Sequence, residues 1–202
     1  KAFPDADPRI IRYAEDAAGG KLVCSQKVRR ICEIFLNDLG RIGRPDFAWV
    51  FDAERASRPI RFMEKFIRPT GDYDRMVLMG WQCFIEGAIF GWVHRETGLR
   101  KHRKVLIVVG SGNGKTPLVA GTALYCASQE GARNPEIDVF ANSREQAGIL
   151  VGDCAAMVSE NKALQSRFKV LKTGLEYYAE GWQGRGRQPV ADGAIRNFSA
   201  DA

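Results

Sequence analysis

Five consecutive apolar residues, Val105, Leu106, Ile107, Val108 and Val109, run directly into Gly110-Ser111-Gly112-Asn113-Gly114-Lys115-Thr116, and a helical pattern opens at Pro117. A continuous apolar run of this length predicts a strand buried on both faces. Strand, glycine-rich loop and helix in that order gather backbone N–H groups and a helix N-terminus around one point, which is how a chain cradles phosphate. The glycines permit tight turns and close backbone approach. Lys115 is expected to meet the β- and γ-phosphates of ATP, and the Thr116 hydroxyl to hold Mg2+. Gly110, Ser111, Gly112, Asn113 and Gly114 complete the expected phosphate loop. Pro117 is tolerable because a first helical turn needs no internal N–H bond. The pattern G-x-x-x-x-G-K-[ST] asks for glycine at position 109, where this chain has Val109. The dinucleotide and protein-kinase pattern G-x-G-x-x-G fails, because position 115 is lysine.

The surroundings of the loop divide the 202 residues in two. Residues 1–75 read as helices. Asp7-Pro8 supplies an N-cap and a first-turn proline, Ile10, Ile11, Tyr13, Ala14 and Ala17 follow, and Gly19-Gly20 is the stop. Val28, Ile31, Cys32, Phe35, Leu36 and Leu39 recur at helical spacing, with Gly40 expected to end that helix. A third helix is expected over 52–67. From 76 onward a helix over 81–92 leads into a basic connector over 95–104. After the loop come a helix over 117–129, a strand over 137–141, a helix over 144–159 and weaker strands over 168–171 and 194–198. Such alternation predicts an α/β fold with a mostly parallel sheet, residues 76–202 forming the nucleotide-binding portion.

Several other classes are excluded. The apolar stretch 77–93 is 17 residues long and contains Gln82 and Glu86, whereas a bilayer span wants about 20 residues without such a charge, so a buried helix is expected and no membrane association. Five cysteines, none in a C-x-x-C pair, and two histidines assemble no zinc site of familiar spacing; buried, reduced thiols are expected. The net charge of +6 is compatible with an anionic partner.

Hydrolysis by a phosphate-loop enzyme calls for an acid at a strand end downstream of the loop. Asp52 follows the apolar residues Ala48, Trp49, Val50 and Phe51 but precedes the loop, and Asp153 lies inside a helical pattern. Neither suits the role, and the acid is expected beyond Ala202.

With these residues in view, the chain resembles the ATPase portion of the large terminase subunits of tailed bacteriophages. Tyr13-Ala14-Glu15-Asp16, Gly20-Lys21, Cys24, Val28-Arg29 and Cys32-Glu33 resemble the family's N-terminal helices. Arg61-Phe62-Met63-Glu64-Lys65-Phe66, Trp81-Gln82 with Phe90-Gly91-Trp92, Asn113-Gly114-Lys115-Thr116, and the stretch from Ala141-Asn142-Ser143 to Ala147 follow in the family's order. The resemblance implies a P-loop ATPase motor that packages double-stranded viral DNA into procapsids in the host cytoplasm, using ATP and Mg2+. It also implies a nuclease domain in the complete protein, homo-oligomeric action, and portal protein and small terminase subunit as partners.

Carried over residue by residue, Gln82 matches the adenine-reading glutamine, whose amide both donates and accepts; a helix-capping amide is the alternative. Ser143 and Arg144 match a motif that faces nucleic acid or couples to the loop, the alternative being a helix N-cap beside a solvated arginine. Many large terminases carry an arginine in the loop near the position of Ser111, and this chain has none there. Residues 100–104 and Arg185-Gly186-Arg187 are basic enough to touch DNA phosphates, although solvated loops have the same composition. Two readings compete with the motor: a helicase-like ATPase, and an assembly module that binds ATP without turning it over. A small-molecule kinase fits less well, since about 100 residues precede the loop.

Overall fold

A computed structural model describes residues 3, 5–69, 74–181 and 190–199. By contacts the chain forms two compact units, one comprising Lys1–Arg61 with Leu78–Val108, the other Phe62–Val77 with Val109–Ala202. The grouping is interleaved, whereas the sequence suggested one boundary at 75/76.

In the first unit, helix α1 (Pro8–Ala18) starts where expected: the Asp7 carboxylate accepts the Arg9 N–H at 3.0 Å and also holds the Arg9 guanidinium at 2.7 Å. Burial pushes the Asp7 carboxyl upward, but its bonds from Arg9 outweigh this and leave it below the usual carboxylate range. Ile10, Ala14 and Ala17 form the buried face. Helix α2 (Gln26–Arg41) is capped by Ser25 and runs through Gly40, which was expected to stop it. The left-handed turn falls instead at Gly43, with φ 89°. Strand β1 (Trp49–Phe51) feeds helix α3 (Ala53–Phe66), which continues into the second unit. Helix α4 (Gly80–Gly91) follows and ends in strand β2 (Trp92–His94), antiparallel to β1. Gly87 lets α4 approach α1 closely, since a Cβ there would lie 2.6 Å from Ile10 Cδ1. Phe35 makes edge-to-face contacts with Phe51, Phe84 and Trp92 at 5.2–5.8 Å, which explains why this small unit has a well-formed core.

The second unit holds helices α5 (Lys115–Ser128), α6 (Arg144–Ser159) and α7 (Lys162–Gln165). Its strands are β3 (Glu136–Ala141), β4 (Phe168–Leu171), β5 (Gly174–Tyr177) and β6 (Gly193–Ser199), in the order β3-β6-β5-β4. Helix α6 lies against both the sheet and α5. Only the β3–β6 pairing is parallel; β5–β6 and β4–β5 are antiparallel. The fold is therefore mixed α/β, and the described sheet is not mostly parallel as expected. The cause is local: Lys172 and Thr173 alone join β4 to β5, and so short a connection can only make a hairpin.

A second expectation fails at residues 105–109. They belong to no ladder among the described residues, and Val105, Leu106 and Val108 are exposed rather than buried. The composition is that of an interior strand, but a strand exists only where a neighbour pairs with it.

None of the five cysteines is in a disulfide; Cys32, Cys83 and Cys154 are buried as expected, whereas Cys24 and Cys126 are only half-buried. Burial pushes Cys32 up to about 11 and Cys154 up to about 12, which makes both poor nucleophiles. Among the described residues no group of His, Cys, Asp or Glu could hold a metal, and no helix is long and apolar enough to cross a membrane.

Candidate nucleotide-binding site

Residues 110–113 form an exposed turn in the second unit that passes through half-buried Gly114 into α5, whose first two residues are Lys115 and Thr116. Two left-handed residues make the turn, Gly112 at φ 77° and Gly114 at φ 70°, a region where a side chain would be strained. Asn113 closes the loop from within: its Nδ2 donates to the carbonyls of Gly110 at 3.3 Å and Ser111 at 3.2 Å. Tying down these carbonyls biases the loop to present N–H groups, the polarity an anion needs. Lys115 Nζ donates to the Val109 carbonyl at 3.3 Å, so the ammonium lies at the base of the loop rather than in an ion pair.

The start of α5 differs from those of five other described helices. Asp7, Ser25, Asp52, Ser143 and Asn161 each offer a side-chain oxygen to a first-turn N–H of α1, α2, α3, α6 and α7. α4, like α5, has no side-chain cap on its first-turn N–H groups; there Gln82 Oε1 accepts the N–H of the N-cap residue Met79 itself at 2.8 Å. At α5 the N-cap is Gly114, which has no side chain to offer. The first bond within the helix there is Leu118 N–H to the Gly114 carbonyl, 3.2 Å. The N–H groups of Lys115 and Thr116 therefore face outward without a helical acceptor, and the helix dipole adds partial positive charge. A fourteen-residue helix with that terminus, a lysine at its first position and a hydroxyl at its second suits a triphosphate with its divalent cation.

The other residues singled out in the sequence are placed differently. Gln82 belongs to the first unit, is 6% exposed, and uses its carbonyl to cap its own helix. Ser143 caps α6 by accepting the Gln146 N–H at 3.2 Å, and Arg144 is exposed beside it. Asp52 accepts the Arg55 N–H at 2.9 Å and so caps α3. Asp153 is carried on α6, where burial raises its carboxyl above the usual range. Within the basic connector, Arg100 lies over the Phe90 ring and Lys101 is ion-paired with Asp38. Arg185-Gly186-Arg187 lie outside the described residues. The role of Asn113 in closing the loop and the uncapped start of α5 are structural findings; the signal for the second was in the sequence, as glycine where five other helices carry Ser, Asp or Asn.

The family model described as terminase large subunit, ATPase domain, matches residues 80–180, half of the chain, including the loop and Gln82. Among solved structures, the crystal structure of the HK97 bacteriophage large terminase is similar at TM-score 0.55 and 25% identity, over 73% of this chain and 28% of that one. The chain thus spans under a third of that protein's length. The Thermus phage P74-26 large terminase ATPase domain matches at TM-score 0.36 and 19% identity, over 46% of this chain and 38% of that one. None of the curated proteins matches. By the match over residues 80–180, the chain belongs to the family of terminase large subunit ATPase domains.

Proposed function

We propose that this chain is the nucleotide-binding part of a DNA-packaging motor, binding Mg-ATP at residues 110–116. The observation that carries the reading is the uncapped N-terminus of α5 behind a loop whose carbonyls Asn113 ties down. The backbone N–H groups of the loop and of the first turn receive the phosphate oxygens. Lys115 exchanges the Val109 carbonyl for the β- and γ-phosphates, a charge-assisted contact stronger than the one it leaves. Thr116 would hold Mg2+, which supplies charge neutralisation at the transferring phosphate when bound. The working motor acts as a homo-oligomer on double-stranded viral DNA in the host cytoplasm, with the portal protein, the small terminase subunit and a nuclease domain completing the machine.

Binding and hydrolysis separate in this chain. The described strands end at Phe51, His94, Ala141, Leu171, Tyr177 and Ser199, none of them acidic. Phosphoryl transfer depends on a group that orients water and on charge at the transition state. The expected outcome is tight Mg-ATP binding with hardly any hydrolysis in a single-turnover assay. Rapid turnover would assign the water-orienting acid to this chain and reopen Asp52 and Asp153.

Gln82 is the proposed reader of adenine. Its carbonyl is committed to Met79, which leaves its NH2 group to donate to the base. Gln82→Ala is expected to change the ATP-over-GTP preference by about 1–2 kcal/mol, since a lost specific hydrogen bond affects one base only. Equal weakening of both nucleotides, measured by competition titration, would leave Gln82 with its capping role alone.

A further inference from the structure

Ahead of Lys115 the loop carries three glycines, Gly110, Gly112 and Gly114, and no charged side chain. Backbone shape explains two of them, since Gly112 and Gly114 have φ of 77° and 70°. It does not explain Gly110, whose φ is not positive, so that conformation alone would admit a side chain there. What such a side chain would meet is Asn113: a Cβ on Gly110 would lie 3.3 Å from Asn113 Nδ2. The same Nδ2 donates to the Gly110 carbonyl at 3.3 Å and to the Ser111 carbonyl at 3.2 Å, and a primary amide has an N–H for each. Gly110 therefore leaves room for the amide that holds its own carbonyl.

The consequence for an anion is electrostatic. With no cation before Lys115, the loop attracts phosphate through N–H groups only if its carbonyls turn elsewhere, because a carbonyl oxygen repels a phosphate oxygen. A glycine-rich loop left unclamped samples many conformations, and few of them have this polarity. Asn113 is exposed and caps no helix, and both of its described hydrogen bonds stay inside the loop, so their effect is confined to the loop's shape. We propose that Asn113 is a positioning residue for the nucleotide: it touches no phosphate, and by tying the Gly110 and Ser111 carbonyls it keeps the empty loop in the form that receives phosphates, with Gly110 free of a side chain to accommodate it. The inference rests on residues 110–116 being the nucleotide site and adds what sets the rate of entry. Lys115 and Asn113 then act on different steps. Lys115 holds phosphate already bound, so its loss speeds dissociation. Asn113 raises the fraction of molecules ready to bind; once phosphate is in place, the phosphate itself holds the loop.

The test is stopped-flow fluorescence of the whole chain with the Mg2+ complex of a fluorescent ATP analogue, each variant accompanied by a circular dichroism melt. Asn113→Ala should slow association about tenfold, as when the competent fraction falls from nearly all to about a tenth, and leave the dissociation rate within about twofold of wild type. Its melting temperature should not move, since the side chain is exposed. Asn113→Asp keeps the shape without the donors and should slow association further, because a carboxylate repels both the carbonyls and the incoming phosphates. Gly110→Ala should slow association less than Asn113→Ala does, and add nothing in the Asn113→Ala background. A loss in Asn113→Ala expressed mainly as faster dissociation overturns the proposal, since it would make Asn113 a contact of the ligand. Additive effects of Gly110→Ala and Asn113→Ala overturn the pairing of the two residues. Wild-type binding that the Asn113 variants match in rate sinks the positioning role alone, whereas a wild-type chain that binds no Mg-ATP sinks the nucleotide site itself.

Discussion

Lys115→Ala is expected to abolish most Mg-ATP affinity, a loss of about 2–3 kcal/mol or roughly 30- to 150-fold, while the protein stays folded. The magnitude is that of a charge-assisted hydrogen bond to phosphate that nothing else replaces. Folding should survive because the ammonium is exposed and its one described contact is the Val109 carbonyl, which solvent can satisfy. Calorimetry on the variant, with its circular dichroism spectrum as the folding control, reads both quantities. Retained affinity would remove Lys115 from the site.

Gly174→Ala is expected to be the most damaging single methyl in the second unit. A Cβ at this β5 position would sit 2.3 Å from the Ile195 carbonyl oxygen of β6. The obstacle is backbone, so no rotamer change relieves it, and the β5–β6 ladder must shift. Overpacking of this kind costs about 3 kcal/mol, which lowers the melting temperature by about 6–12 °C. Gly152→Ala is the matched control: it lies on α6 with nothing within 4 Å, and should be neutral or slightly stabilising through helix propensity. Equal melting temperatures for the two variants would show that β5 does not sit against β6 as described.

Local rules were legible wherever a residue determines its own surroundings. The caps at Asp7 and Ser143, the α/β alternation after residue 110 and the loop itself all follow from side chains acting within a few residues of themselves. What could not be read depends on partners. Gly40 looks like a stop, yet the chain needs its left-handed residue at Gly43, two positions beyond the helix. Residues 105–109 read as a buried strand because apolar composition reports preference, while pairing is supplied or withheld by other segments. β5 went unseen because Gly174-Leu175-Glu176-Tyr177 is short and begins with glycine, and the two-residue turn before it made the sheet mixed. Lys101 looked like a free cation in a basic run until the fold brought Asp38, 63 positions away, alongside it.

The central claim is that residues 110–116 bind nucleotide phosphates through backbone N–H groups at the start of α5. The most direct measurement is an amide chemical-shift titration of the isotopically labelled chain with Mg-ATP, alongside inorganic triphosphate. The account predicts saturable shifts concentrated at residues 111–116, shared by both ligands, with Gln82 responding to ATP alone. Saturable binding of Mg-ATP that leaves the amides of residues 111–116 unmoved would contradict it.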